Sequence, residues 1–288
     1  MKLALGTVQF GLKYGVANIG SRVSLEEAHS IVNRARQLGI DTLDTAVAYG
    51  DSESVLGKLN IHSWRVVTKL PAVPDDCKNV TDWVKTQISG SLDRLQIPCL
   101  YGVLLHQPNQ LHESRGSELF TALQSLKANG LVNKIGVSVY GPEELGELLA
   151  KYTFDLAQIP LNILDRSFIE SGWAQKLKND GIEVHTRSLF LQGLLLMPKG
   201  KRPPKFERWD DIWIEWDRWL AETGLTPLQA CLRYANGLDC IDRVVVGVDS
   251  VEQLNGIMKA ATEQLPNLPQ FKKMQDERLA NPATWSQL

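Results

Sequence analysis

The sequence predicts an α/β protein folded as a (β/α)8 TIM barrel, one domain spanning residues 1–288. Three observations lead there. Short, nearly continuous apolar runs alternate with amphipathic stretches, the pattern of parallel strands covered by helices. Eight such strand-then-helix units fill roughly 260 residues, which matches a closed barrel better than an open doubly wound sheet. Three successive apolar runs also end in an ionisable residue: Asp44, Lys69 and His106. In a parallel barrel, those strand ends converge on one face.

Lys2–Val8 is the first expected strand, followed by a loop punctuated by Gly11, Gly15 and Gly20. Ser24, backed by Glu26 and Glu27, caps a helix whose apolar positions Ala28, Ile31, Val32, Ala35 and Leu38 keep the helical period until Gly39. Ile40–Asp44 is the second strand, with a helix over about Ser52–Leu59. Val66–Leu70 is the third, and its helix, Thr81–Leu95, carries Trp83, Val84, Ile88, Leu92 and Leu95 on one side. Leu100–His106 is the fourth strand, with a helix over Gly116–Asn129 stopped by Gly130. Lys134–Val139 is the fifth, and Pro142 opens its helix, a position where proline costs no hydrogen bond. Phe154–Pro160 and the helix Ser167–Asn179 form the sixth unit. Ile182–Leu189 is strand seven, Pro227–Ala235 a helix, Arg243–Val248 strand eight and Ser250–Ala261 the last helix.

Two stretches interrupt the alternation. An insertion at about 197–222 begins with a basic Pro/Gly loop containing Lys199, Lys201, Arg202 and Lys205. It continues into a helix with Trp209, Trp213, Trp216 and Trp219. The loop fits either a solvated connection or a lid over a phosphate-bearing ligand. The tryptophans recur every three or four residues, as on a packed helix face, with an aromatic substrate platform as the alternative. A tail at about 263–288 shows helical patterning only over Phe271–Leu279.

Composition narrows the function classes. A 43% hydrophobic chain with 22% charge can bury a sizeable core, and a net charge of −2 leaves no electrostatic footprint for nucleic acid. Cys77, Cys99, Cys231 and Cys240 show neither CxxC nor Cys/His metal spacing, so they are expected reduced, in a cytoplasmic setting and without a metal. No apolar run approaches the roughly 20 residues of a membrane span.

A carboxylate at the end of a buried strand requires a cation nearby, and Lys69 is the candidate for Asp44. The run DTAVAYG then supplies Tyr49, VVTKL supplies Lys69 and LLHQP supplies His106. In this order, with Leu3-Ala4-Leu5-Gly6-Thr7 before them and Ile135-Gly136-Val137-Ser138 and Gly247 after, the chain resembles the aldo-keto reductase superfamily. That resemblance implies carbonyl–alcohol interconversion with NADPH or NADH. Reducing a carbonyl needs a hydride donor and a weak acid at the oxygen. Tyr49 is that acid. Lys69 favours its phenolate, Asp44 holds Lys69, and His106 orients the carbonyl oxygen. Taken singly, these residues also fit a structural ion pair, a core histidine and a packing tyrosine.

No GxGxxG follows a strand, so cofactor contacts must come from elsewhere. The resemblance implies Ser138 and Gln158 at the nicotinamide carboxamide, with Asn162 a possible neighbour. It also implies Arg187, Ser188, Leu189, Gln192 and Gly193 around the nicotinamide and pyrophosphate. Arg187 stands where relatives stack an aromatic ring; it could do the same or hold an anionic substrate. After Gly247, relatives that prefer NADPH usually place a cation, whereas this chain has Asp249, Ser250, Gln253, Gly256 and Ile257. Asp249 would repel a 2′-phosphate and accept from ribose hydroxyls, which favours NADH, unless it merely caps the last helix. Gln9, Tyr14, Gln107 and Tyr140 are candidate substrate contacts at the mouth, suited to a small polar aldehyde, ketone or sugar. Two alternatives stay open: a cofactor-holding regulatory protein with negligible turnover, and a lyase forming a Schiff base on Lys69.

Overall fold

The chain enters the barrel at β1 (Leu3–Gly6), and Thr7 turns it at once into the one-turn helix α1 (Val8–Gly11). The computed structural model describes residues 2–18, 20–266, 268, 271 and 277–288. The alternation continues with α2 (Leu25–Gln37), β2 (Thr42–Asp44), α3 (Ser52–Gly57), β3 (Arg65–Leu70), α4 (Val80–Leu95) and β4 (Leu100–Leu105). Then come α5 (Gly116–Ala128), β5 (Val132–Ser138), α6 (Pro142–Leu149), β6 (Leu156–Pro160), α7 (Ser167–Glu170) and α8 (Trp173–Asn179). The remaining elements are β7 (Glu183–Arg187), α9 (Asp210–Thr223), α10 (Pro227–Asn236), β8 (Arg243–Gly247) and α11 (Val251–Ala260). Every strand is parallel to its neighbours, and β8 closes on β1 with Gly6 opposite Gly247. The fold is the (β/α)8 barrel that the alternation predicts.

Several strands are shorter than their apolar runs because the flanking residues enter turns. The single helix expected over Ser167–Asn179 breaks in two, with Gly172 between the pieces at φ +77°. Caps follow the sequence signals: the Ser24 hydroxyl accepts from Glu27 N, Asn79 from Asp82 N, and Thr226 with Gln229 completes a capping box. In the insertion, a 3-10 turn (Pro204–Trp209) leads into α9, and all four tryptophans are buried, with Trp216 stacked on Trp219 at 5.7 Å. They form a packed face. The helical pattern over Phe271–Leu279 falls largely outside the described residues.

Side chains two apart on a strand share a face, so Asp44, Lys69, Gln158 and Arg187 identify the barrel's interior. Below them on the same faces, Val67, Leu104 and Leu156 form a fully buried apolar cluster separate from the main core. Below that lies a polar network. Glu183 accepts from Tyr101 Oη at 2.6 Å, His185 Nε2 at 2.8 Å and Lys134 Nζ. Burial opposes ionisation of Glu183, but these three donors hold its carboxyl well below the usual range. All four cysteines are free thiols, Cys231 and Cys240 buried. Among the described residues, no helix is long and apolar enough to cross a membrane.

Candidate active site

The loop between β2 and α3 is fastened on both sides, and this places Tyr49. Val47 N donates to Lys69 O, while Ser52 N donates to Tyr49 O at 3.1 Å. The buried Ser52 hydroxyl bridges Thr7 and Thr45. Gly11 is required here: a Cβ would fall 1.8 Å from Tyr49 O. At the floor, Lys69 Nζ donates to Asp44 Oδ1 at 2.6 Å and to Thr45 O at 3.0 Å. Gln158 Nε2 donates to Asp44 Oδ2 at 2.7 Å, and Ser138 Oγ donates to Gln158 Oε1. Both carboxylate oxygens are thus engaged. Lys69 is 1% exposed. Burial alone would lower its pKa, but Asp44 and then Tyr49 outweigh that and hold it above the ordinary lysine value.

The Lys69 ammonium lies 5.0 Å from the Tyr49 ring centroid, and His106 meets the Tyr49 ring edge-on at 6.2 Å. Burial, then the charges of Lys69 and Arg187, push His106 down to about 4. At neutral pH it is therefore an uncharged imidazole. Since an unfolded histidine titrates near 6.5, His106 adds stability above that pH and loses it as pH falls through about 4. We expect NMR titration to place His106 near pH 4. The urea midpoint should fall between pH 6.5 and 4, and less steeply in His106→Gln; equal slopes would refute this.

These residues open into one groove, a cavity of about 600 Å³. The expected residues Gln9, Tyr14, Asp44, Tyr49, Lys69, His106, Ser138, Tyr140 and Gln158 line it, as do Arg187, Ser188, Leu189, Gln192, Gly193, Gly247, Asp249 and Gln253. Gln107 does not. The chain bends into a 3-10 turn (Pro108–His112) directly after His106, leaving Gln107 exposed outside the groove. Asn162 is also outside it; its Oδ1 accepts from Leu164 N and Asp165 N, fixing the turn after β6. The Arg187 guanidinium stacks on the Tyr140 ring at 4.4 Å and donates to Val139 O at 3.0 Å. The cap of α11 belongs to Ser250, whose hydroxyl accepts from Gln253 N. Asp249 instead accepts from Asn18 Nδ2 at 3.4 Å.

Sequence reasoning missed the loop after β1, where Gly15, Ala17 and Asn18 line the groove, and the contributions of Leu196, Leu228, Pro282 and Ala283. The glycine punctuation marked the first of these as a loop without showing where it lay. Val16 N donates to Gln192 O at 3.1 Å, and a Cβ on Gly193 would meet Ala17 Cβ at 2.7 Å. In the facing loop after β7, Ser188, Leu191 and Gln192 all hold positive φ. Such strain gathers where a backbone must serve a ligand.

An ammonium–carboxylate pair thus lies under a phenol, with a neutral imidazole at the same opening of the parallel barrel. The aldo/keto reductase family model matches residues 2–274. The chain belongs to the aldo/keto reductase family. It is 32% identical over 147 residues to aflatoxin B1 aldehyde reductase member 2 of Rattus norvegicus, a match covering 48% of this chain and 39% of that protein. An uncharacterized oxidoreductase of Bacillus subtilis is 24% identical over 297 residues, covering 95% of each chain. Among solved structures, an aldo-keto reductase from Bacillus halodurans in its holo form superposes with a TM-score of 0.75. That pair is 21% identical, over 96% of this chain and 95% of the other, a likeness of fold.

Proposed function

We propose that the protein interconverts carbonyl and alcohol groups on a small polar aldehyde, ketone or sugar, with Tyr49 as general acid/base. The observation that carries this reading is the buried Lys69–Asp44 pair, 2.6 Å long, with its ammonium 5.0 Å from the Tyr49 ring. Tyr49 donates its proton to the carbonyl oxygen during reduction and takes it back during oxidation. The Lys69 charge stabilises the phenolate left behind, and Asp44, held from its other side by Gln158, keeps that ammonium in place. Neutral His106 can donate to the same oxygen without competing for the Tyr49 proton.

The groove fits a nicotinamide dinucleotide. It holds amide and hydroxyl groups at one end and the open helix face at Gly256 at the other, where a Cβ would meet only Leu228, at 3.9 Å. Gln9 Oε1, buried without a partner among the described residues, is an acceptor suited to an incoming hydroxyl or amide. When bound in reduced form, the cofactor supplies the hydride. Ser138, Gln158, Arg187 and the Ser188–Gly193 loop would hold its nicotinamide and pyrophosphate half.

The other half would lie against Gly247, Asp249 and Gln253. Of the cations in the insertion, none lines the groove, and Lys205 is engaged with Trp285 O. Among the described residues, Asp249 is then the charge that a ribose 2′-substituent would meet, which favours NADH. In parallel fluorescence titrations, NADH should bind at least about tenfold tighter than NADPH, on the order of 1.4 kcal/mol. Asp249→Lys should shrink that ratio. Tighter NADPH binding would sink the preference, and binding of neither would sink the oxidoreductase reading.

A further inference from the structure

The far end of the groove is apolar, walled by Leu196, Leu228, Gly256, Ile257, Pro282 and Ala283. The first four belong to the barrel and its helices: the 3-10 turn Leu194–Leu196 packs on α10, and Gly256 faces Leu228. Pro282 and Ala283 come instead from the last turn of the chain, Pro282–Gln287. Nothing in a barrel requires that turn to stand there.

The insertion holds it. Trp285 is 4% exposed, and its ring meets Phe206 at 4.7 Å and 73°. Its carbonyl accepts from Lys205 Nζ at 2.8 Å, and its Nε1 donates to Arg278 O at 3.0 Å. Phe206 is itself fully buried, and its carbonyl accepts from Trp213 Nε1 of α9 at 2.9 Å. A continuous set of contacts therefore runs from the tryptophan helix through Phe206 and Trp285 to the two residues that wall the groove. This assigns work to the two segments that the barrel alone does not explain.

We propose that the insertion and the C-terminal turn form a clamp that builds the outer wall of the adenosine end of the groove, with Trp285 as its positioning residue. The inference rests on the dinucleotide reading above. A slot of leucine, isoleucine, alanine and proline surfaces suits a flat, uncharged heterocycle, and among the described residues the cations lining the groove, Lys69 and Arg187, lie at the carboxyl ends of β3 and β7. Because the turn is fixed before binding, the adenosine half meets a formed wall instead of ordering one.

Calorimetric titration of the full chain with NADH, ADP-ribose and reduced nicotinamide mononucleotide tests this. Trp285→Ala should raise the Kd of NADH and of ADP-ribose at least tenfold and leave that of the mononucleotide within twofold. Trp285→Phe should restore most of the loss. Gly256→Leu, which fills the slot while leaving the clamp intact, should weaken the same two ligands. An unchanged ADP-ribose Kd in Trp285→Ala, whatever Gly256→Leu does, would overturn the clamp while leaving the dinucleotide reading standing. Equal weakening of all three ligands in Trp285→Ala would make Trp285 a general stability residue, again overturning it. If the parent chain binds neither NADH nor ADP-ribose, the dinucleotide reading falls and takes the clamp with it.

Discussion

Replacing Tyr49 with phenylalanine should cost carbonyl reduction about 10²- to 10⁴-fold in kcat/KM, the range for losing a positioned general acid. NADH binding and the unfolding midpoint should stay close to those of the parent. The half-buried ring keeps its place above Lys69 and beside His106 when only the hydroxyl is removed. Steady-state kinetics with an aldehyde, alongside a fluorescence titration, separate the two quantities. Undiminished turnover in Tyr49→Phe would remove Tyr49 from the mechanism.

The second large effect concerns Lys69. Its pair with Asp44 is almost wholly removed from water, so Lys69→Met leaves a buried carboxylate with only Gln158 and costs about 3–5 kcal/mol of stability. Asp44→Leu in the Lys69→Met background should recover most of that loss, because no charge is then stranded. Turnover should be lost in both. The pH dependence has a definite sign. The folded-state pKa of Lys69 is raised, so the pair's contribution is complete below the ordinary lysine value of 10.5 and disappears as pH rises through the higher folded value. Urea midpoints from pH 7 to 11 should fall at the alkaline end for the parent and stay flatter for Lys69→Met. A single-variant loss under about 1 kcal/mol would contradict the buried-pair account.

The floor of the site was legible because strand ends carry their own signature. Asp44, Lys69 and His106 each stop an apolar run, and a parallel barrel leaves such residues nowhere to go but one face. Gln107 was misplaced because a step of one residue along an extended chain reverses the side chain's direction. By sequence Asp249 fits either a cap or a ribose contact; the hydroxyl one position later, on Ser250, holds the cap. Beyond Gly256 and Ile257, the far wall of the groove left no sequence signal. Leu196, Leu228 and Pro282 come from three separate segments, and only folding makes them neighbours. The positive φ values of Leu191 and Gln192 were equally silent, since neither is a residue type that announces a left-handed backbone.

The apolar layer of Val67, Leu104 and Leu156 lies between the site floor and the polar network beneath it. Tyr101, Lys134, Glu183 and His185 below it offer a chain of groups that could pass a proton, but three hydrocarbon side chains interrupt the path to Asp44. In the reaction proposed above, a proton given up by Tyr49 would be replaced through the mouth that admits substrate. The protonation cycle would then be tied to product departure.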